Sequence, residues 1–387
     1  MNLGEFYQGR EQTLVKHIIL RRYLLRLAVI VGNWSSSITY VDCFSGPWEN
    51  KADDFSDTSF GIAVQELRSA RDELRKRDIS LKLRCFFLEK EKAAFKKLES
   101  FCSQIRPEID AKPKNDVLEN SVADILDFQK AAGQRNFTFV FVDPTGWTGF
   151  EMDVIRPLLR ISPGEVLINY MTSFIRRFID SSDPELVRGF DRLYGGPEFR
   201  QKLKGVSQEE RADAMVREYA NRVKAEGNFK YVCFTPIFQS EVDDVHFHLI
   251  YGTRNEKGLE VFKKEERKAV QTMEEARAKA QQMKRESGGA LELFSSAVMH
   301  DSTFYDGLRN KYLEQVKKSC FTELSAKKKV LYDVLWEKAL TTPLVWVEDL
   351  NGWLSEMKTQ NKLKLLNMGP REKVPKRGSN VIVEWLS

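Results

Sequence analysis

The chain has 387 residues, 42% of them hydrophobic, which is normal for a globular protein and favours one large domain with a small additional one. Its net charge of +5 is small for this length, so it permits a nucleic-acid partner without arguing for one. The apolar run 18–31 is interrupted by Arg21, Arg22 and Arg26. It therefore predicts an amphipathic helix and excludes a membrane span there.

The cysteines carry no metal-binding or redox pattern. No two have the spacing of a zinc site or of a redox pair, and several lie in apolar runs, where cysteine is usually a small core residue. We expect no metal site. An odd count without a targeting segment predicts a reducing, cytoplasmic location. The five are Cys43, Cys85, Cys102, Cys233 and Cys320.

Helices and strands are predicted to alternate along the first half of the chain. The strands are so apolar that we expect them to be buried on both faces, as in a parallel sheet flanked by helices. The predicted elements are a helix over 11–31, a strand over 38–43, a helix over 61–76, and strands over 81–89, within 137–149 and over 165–171.

Two further strands, over 230–240 and 245–253, are joined by a short polar link that suits an antiparallel hairpin. The predicted fold class is therefore α/β, with a doubly wound, mostly parallel sheet ending in an antiparallel hairpin. This is the outline of class I S-adenosylmethionine-dependent methyltransferases. The charged segment 255–287 is interpreted as a solvated helix, with a basic face for a partner as the alternative.

The C-terminal segment changes character. Two or three helices followed by a strand, a basic loop and a strand predict a winged-helix-like domain over 320–387, after a first domain over 1–315. Basic side chains at the tip of the wing suit phosphate contacts, although solubility explains them equally well. These side chains are Arg371, Lys373, Lys376 and Arg377.

Three predicted strands end in an acid, namely Asp42, Glu89 and Asp143. In doubly wound sheets, ligands bind beyond the carboxyl ends of the strands. Asp42 is followed by a loop that includes the small residues Ser45 and Gly46, which would let a ligand approach the backbone. An acid at the end of the next strand, here Glu89, would accept the hydroxyls of a ribose. The sequence thus predicts a nucleotide-type site.

Four segments resemble the three-Cys-motif partner proteins (TcmP), which look like class I methyltransferases. The segments are KHIILRRYL, YVDCFSGP, FVDPTGW and HLIYGTRNEKGLEVFK, and together they span most of residues 16–263. The resemblance implies S-adenosylmethionine as the cofactor and a separate three-Cys-motif protein, similar to radical-SAM enzymes, as the partner. The scattered cysteines of this chain fit the partner protein and not the cysteine-motif protein.

The resemblance also implies roles for individual residues. The loop from Asp42 to Gly46 would hold the cofactor, with Phe44 beside its methionine moiety, and Glu89 would bind the ribose. Asn120 or Ser121, at the end of the segment DVLENS, would face the adenine edge. The chain departs from the family at Trp48, where a glycine is usual.

The segment DPTGW resembles the motif with which amino-group methyltransferases bind their target. Asp143 and Pro144 would accept hydrogen bonds from the target amine, and the ring of Trp147 would stack on the base. The ring stands one residue later than in that motif, and the second proline is missing. The alternative is a strand-ending turn in which Trp147 covers a hydrophobic edge. His246 and His248 share one face of a strand and are interpreted as buried, hydrogen-bonded side chains, with metal ligation as the alternative.

These observations predict a methyltransferase that acts on an amino group of a nucleic acid together with the three-Cys-motif protein. The first alternative is a non-catalytic scaffold of the same fold that docks the partner protein or DNA. The second is a nucleotide sensor. The sequence does not choose between DNA and RNA, and it does not indicate an oligomeric state.

Overall fold

The computed structural model describes residues 7, 11–46, 50–287, 301–369 and 371–386. The chain divides into two compact units, residues 1–300 and residues 301–387. The sequence placed this division between residues 315 and 320. It lies earlier because a helix over Thr303–Lys327 contacts the strands and the next helix of the second unit. Trp48 lies outside the described residues.

The first unit contains a seven-stranded sheet in the order β3-β2-β1-β4-β5-β7-β6. Neighbouring strands are parallel from β3 to β5, and β7 runs antiparallel to both of its neighbours. This order and these directions are those of the class I methyltransferase-like fold, so the predicted fold class is confirmed. The strands are β1 (Ser37–Asp42), β2 (Lys82–Leu88), β3 (Asp110–Lys114), β4 (Asn136–Val142), β5 (Gly164–Tyr170), β6 (Tyr231–Phe238) and β7 (Val245–Thr253).

The central strands are buried along their whole length, as their apolar sequences predict. Every residue of β1, β4 and β5 is buried. Helices cover both faces of such a sheet and remove its apolar side chains from water. The helices are α1 (Glu11–Gly32), α2 (Ser59–Arg75), α3 (Lys92–Ile105), α4 (Leu118–Lys130), α5 (Met152–Leu159), α6 (Thr172–Phe178), α7 (Pro184–Tyr194), α8 (Phe199–Leu203), α9 (Gln208–Gly227) and α10 (Glu256–Ser287).

The interpretation of residues 255–287 as a solvated helix is wrong. One side of α10 is buried against α1 and β6, with Leu259, Phe262 and Met273 in the interface. Even two of its charges are buried as a pair, Lys263 and Glu266, whose charged atoms lie 2.5 Å apart. Apolar residues three or four positions apart form this buried stripe, which the high average charge of the segment conceals.

The second unit combines helices with a small antiparallel sheet. One helix leads into a strand, two helices, a second strand, a loop and a third strand, and the strands form one sheet in the order β8-β10-β9. Both strand pairs are antiparallel. The elements are α11 (Thr303–Lys327), β8 (Lys329–Leu331), α12 (Tyr332–Leu340), α13 (Val347–Thr359), β9 (Leu363–Leu366) and β10 (Ile382–Trp385).

The five cysteines are free and buried, which confirms that they are core residues. Burial raises the pKa of the Cys102 thiol to about 12, and the same cause acts on the others, so none is a reactive thiolate near neutral pH. None of the helices in the described part of the chain is long and apolar enough to cross a membrane.

Candidate active site at the carboxyl edge of the sheet

The loop after β1 is held by hydrogen bonds to neighbouring elements. The Asp42 carboxylate accepts bonds from the Ser59 hydroxyl at 2.7 Å and from the Phe44 backbone N–H at 3.2 Å. The Ser45 N–H donates to the Leu88 carbonyl at 2.7 Å, and the Ser45 hydroxyl accepts from the Leu88 N–H at 3.2 Å. The polar groups of Asp42 and Ser45 therefore hold the loop in place through hydrogen bonds within the protein.

Replacement of Asp42 by asparagine is expected to change how stability depends on pH. Burial raises the pKa of this carboxyl from 3.8 to about 6, so the folded chain holds the proton more tightly than the unfolded chain does. Asp42 therefore makes the free energy of unfolding fall as pH rises from about 4 to about 6, by roughly 3 kcal/mol in total. Asp42→Asn removes this fall.

The measurement is urea denaturation of the wild type and of Asp42→Asn between about pH 4 and about pH 7. The difference between the two proteins is the informative quantity, because His248 titrates in the same range with the opposite effect. Burial lowers the pKa of His248 to about 4, so its contribution to stability is lost as pH falls below its ordinary value. If the difference in the free energy of unfolding between the two proteins does not change with pH, the pKa of Asp42 is not raised in the folded chain.

Glu89 follows β2 and is buried, with a relative exposure of 3%. One carboxylate oxygen accepts the N–H of Glu91 at 2.6 Å. Burial raises the pKa of Glu89 above its usual range. The side-chain amide of Asn115, just after β3, donates to the Glu89 carbonyl at 2.7 Å. Glu89 thus lies where β2 and β3 end, at the edge of the sheet predicted for the ribose.

Asn120 and Ser121, expected to face the adenine edge, do not directly follow a strand. Both lie in the first turn of α4, where Asn120 is exposed and donates to Asp116 at 3.0 Å. The buried Ser121 hydroxyl donates to the Val117 carbonyl within the helix. The preceding strand is only five residues long and ends at Lys114.

Asp143, directly after β4, lies in a bonded group with Lys16 of α1 and Asn169 of β5. The Lys16 ammonium donates to Oδ2 at 2.6 Å, and the Asn169 side-chain amide donates to Oδ1 at 2.7 Å. The side chains of Lys16 and Asp143 are only 11% and 13% exposed. An ion pair this shielded from water binds α1 to the centre of the sheet.

A cavity of about 290 Å³ lies beyond the ends of β1, β4 and β5. Because the chain continues from β1 to one side of the sheet and from β4 to the other, this is the topological switch point, where such folds bind ligands. Two of the predicted cofactor residues border the cavity, Phe44 and Gly46, and so do Asp143 and Pro144. Further polar residues border it, among them Lys16, His17, Asn169 and His246.

Lys16 and Asn169 were not among the predicted site residues. The rule that selected Asp42 and Asp143, a polar residue at the carboxyl end of an apolar strand, also applies to Asn169 near the end of β5. For Lys16 the sequence offers no comparable indication, since it stands in a helix far away along the chain. Only the structure shows that α1 brings Lys16 to this edge of the sheet, next to Asp143.

Trp147 does not border the cavity and is not placed to stack on a base there. Its ring stacks on Phe190 of α7, with ring centres 4.5 Å apart. A side chain at Gly189 would come within 2.6 Å of the indole, so this packing needs the glycine. This packing agrees with the alternative, that Trp147 covers a hydrophobic edge.

The two histidines of β7 have different environments. His248 is buried and its Nδ1 lies 2.6 Å from the Thr172 hydroxyl, which confirms the interpretation of a buried, hydrogen-bonded side chain. His246 is only half-buried and borders the cavity. Burial, and then the nearby Lys16 charge, lower the pKa of His246. His246 is therefore neutral near physiological pH and available to accept a proton.

The four basic residues predicted at the wing are not equivalent. Arg371, Lys373 and Lys376 are exposed. The Arg377 guanidinium instead lies over the Trp336 ring, 4.6 Å from its centre, and 3.8 Å from an Asp333 oxygen. Arg377 thus packs the wing against α12, and the other three remain candidates for phosphate contacts.

No protein-family model matches the chain, and no curated protein matches it in sequence. Among solved structures, the chain is similar to one described as loganic acid methyltransferase with SAH. The identity is 10% and the TM-score is 0.30, over 72% of this chain and 89% of that chain. At these values the fold assignment depends on the strand order and directions given above, and the name of that structure carries no argument about activity.

Proposed function

We propose that the first unit binds S-adenosylmethionine at the carboxyl edge of its sheet and transfers the methyl group to an amino group of a nucleic acid. The observation that carries this proposal is the cavity at the switch point, which a carboxylate, Asp143, borders together with Phe44 and Gly46 of the loop after β1. In a sheet of this order, that edge is where a nucleotide-type ligand is expected.

The residues at this edge fit the cofactor. Glu89 is a buried carboxylate whose raised pKa reflects lost hydration, and two ribose hydroxyls would replace that hydration with hydrogen bonds. Phe44 offers an apolar surface for the methionine chain, and Gly46 leaves the backbone accessible. Asn120 and Ser121 remain candidates for the adenine end, with a weaker basis now that they belong to α4. The cofactor, when bound, supplies an electrophilic methyl group.

Asp143 would orient the target amine by accepting one of its N–H bonds. The Lys16 ammonium holds this carboxylate in place through one oxygen, and the Asn169 amide fixes its other oxygen. Localising the nitrogen lone pair in this way favours attack on the methyl group. The neutral His246 imidazole in the same cavity would take the proton that the methylated amine must lose. Pro144 shapes the wall beside Asp143.

The second unit supplies the nucleic-acid contact in this proposal. A winged-helix-like arrangement with the exposed basic residues Arg371, Lys373 and Lys376 at its wing suits binding to phosphates. Through the resemblance to TcmP, we propose a three-Cys-motif protein as the partner.

The double variant Arg371→Ala/Lys373→Ala is expected to weaken DNA or RNA binding uniformly across sequences. A plot of log K against log salt concentration has a negative slope. Each lost phosphate contact reduces the magnitude of this slope by about 0.9 for duplex DNA. Fluorescence anisotropy over a range of salt concentrations measures this slope. The matched control is Arg75→Ala/Lys130→Ala, which removes two exposed charges of the first unit. Equal slopes for the two double variants would show that the wing does not contact the nucleic acid.

A specific observation favours the non-catalytic alternative. Trp147 is packed against Phe190, and both Asp42 and Ser45 form bonds within the protein. In that case the fold would serve as a scaffold for the partner protein or for DNA, and no substitution in the cavity would affect methylation.

Transfer of labelled methyl groups from S-adenosylmethionine to mixed DNA and RNA, with and without the three-Cys-motif protein, distinguishes the two. We expect transfer that is lost in Asp143→Ala. Transfer that survives this substitution would show that the active site lies elsewhere. No transfer with the partner complex intact would favour the scaffold.

A further inference from the structure

Asn169 has a buried acceptor that no donor in the described part of the chain uses. The residue is 3% exposed, and its Oδ1 is shielded from solvent without a hydrogen-bond donor among the described residues. An unpaired buried acceptor destabilises the fold, so such atoms are rare in folded proteins and call for a physical reason. Asn169 also borders the cavity at the switch point.

The orientation of this amide is fixed by its neighbours. Asn169 Nδ2 donates to Asp143 Oδ1 at 2.7 Å, and a carboxylate accepts only from the N–H side of an amide. The amide therefore cannot rotate by half a turn to hide its oxygen. The Lys16 ammonium donates to the other carboxylate oxygen at 2.6 Å and so holds the Asp143 side chain in place. The hydrogen bonds among Lys16, Asp143 and Asn169 therefore keep Asn169 Oδ1 in a fixed position beside Asp143.

The only other described contact of the amide is adaptable. Asn169 Nδ2 lies 3.4 Å from the Met171 thioether, and Met171 also borders the cavity. Methionine is unbranched and changes rotamer readily. A ligand that enters the cavity can therefore reach the Asn169 amide when the Met171 side chain moves aside.

We infer that Asn169 Oδ1 accepts the second N–H bond of a primary amino group whose first N–H bond is accepted by Asp143. This inference deepens the proposed function by naming the substrate group: an unsubstituted –NH2, as on adenine or cytosine. Two adjacent acceptors match two N–H bonds, and a singly methylated amine has only one to offer. The site therefore selects unmodified amines and stops after one methylation.

Nucleosides without phosphate test this inference, because they avoid the wing. The probes are adenosine, N6-methyladenosine and N6,N6-dimethyladenosine, with the matching cytidine series, added to the full chain saturated with S-adenosylhomocysteine. Calorimetric titration measures the affinities in the wild type and in the variants. In the wild type, the Asn169 side-chain amide signals in a ¹⁵N spectrum, assigned by their absence in Asn169→Leu, report contact with the amide. We expect one of the unmodified nucleosides to bind at least ten times more tightly than its monomethyl form.

In Asn169→Leu, the unmodified and monomethyl nucleosides are expected to bind within about twofold of each other, since the acceptor that distinguishes them is removed. The matched control is Asn136→Leu, which removes a buried asparagine at the opposite end of the sheet whose Oδ1 already accepts from Ser37 and Thr39. Asn136→Leu should destabilise the fold yet keep the tenfold preference.

The outcomes separate this inference from the proposed function. If S-adenosylhomocysteine binds but no nucleoside is preferred over its methylated forms, the inference is wrong and the cofactor site stands. If the preference is present and depends on Asn169 while neither the cofactor nor its product binds, the amine site stands without methyl transfer. A preference that persists in Asn169→Leu also contradicts the inference.

Discussion

Replacement of Asp143 by alanine is expected to lower the free energy of unfolding by roughly 3 kcal/mol and to abolish methyl transfer. The loss of stability arises because the Lys16 ammonium, 11% exposed, would remain buried without its counter-charge. The loss of transfer arises because the target amine would lose its orienting acceptor, an interaction that matters in the transition state. Cofactor affinity should change little. Urea denaturation, labelled methyl transfer and cofactor titration measure the three quantities separately.

Two variants control this prediction. The double variant Lys16→Met/Asp143→Asn removes both charges and keeps an oxygen for the Asn169 amide, so most of the stability should return without the activity. Glu73→Ala breaks an exposed ion pair with Arg77 of similar length, 2.7 Å, and should cost less than about 1 kcal/mol. If Asp143→Ala and Glu73→Ala are equally mild, the Lys16–Asp143 pair does not stabilise the junction of α1 with the sheet.

Replacement of Glu89 by alanine is expected to weaken S-adenosylmethionine binding by at least tenfold. A carboxylate that accepts two ribose hydroxyls forms charge-assisted bonds of roughly 1.5–3 kcal/mol each. Because burial raises the pKa of Glu89, these bonds would also replace hydration that the folded protein denies to the ionised form. Calorimetric titration measures the affinity, and circular dichroism verifies the fold.

Glu89→Gln should give an intermediate affinity, because the amide keeps one acceptor and loses the charge. The matched control is Glu66→Ala on α2, which removes another buried carboxylate whose pKa is raised by burial and whose partner is Arg21. Glu66→Ala should leave cofactor affinity unchanged. Equal affinities for the wild type and Glu89→Ala would show that the ribose does not bind at the end of β2.

The fold could be predicted from the sequence because its strands are long and continuously apolar. Strands as apolar as β4 and β5 indicate a sheet that is buried on both faces. Their alternation with helices along the chain determines the fold class. The short strand β3, with the sequence DAKPK, has no such signature. Without such a signature, the sequence did not show that Asn120 and Ser121 belong to α4.

The candidate site was only half predictable, for a related reason. Strand ends mark Asp42, Glu89 and Asp143 in the sequence, because parallel strands bring their carboxyl ends to one edge. Which of these faces the cavity depends on tertiary packing: Asp42 is used by Ser59 and the loop, whereas Asp143 borders the cavity. The ion pair with Lys16 joins positions far apart along the chain, and local patterns do not encode such contacts.

The most direct test of the account is calorimetric titration of S-adenosylmethionine into the purified full-length chain, alongside Glu89→Ala. The account predicts saturable binding with one site per chain in the wild type and at least tenfold weaker binding in the variant. An absence of binding to the wild type at millimolar cofactor would contradict the proposal that this chain is itself a methyltransferase.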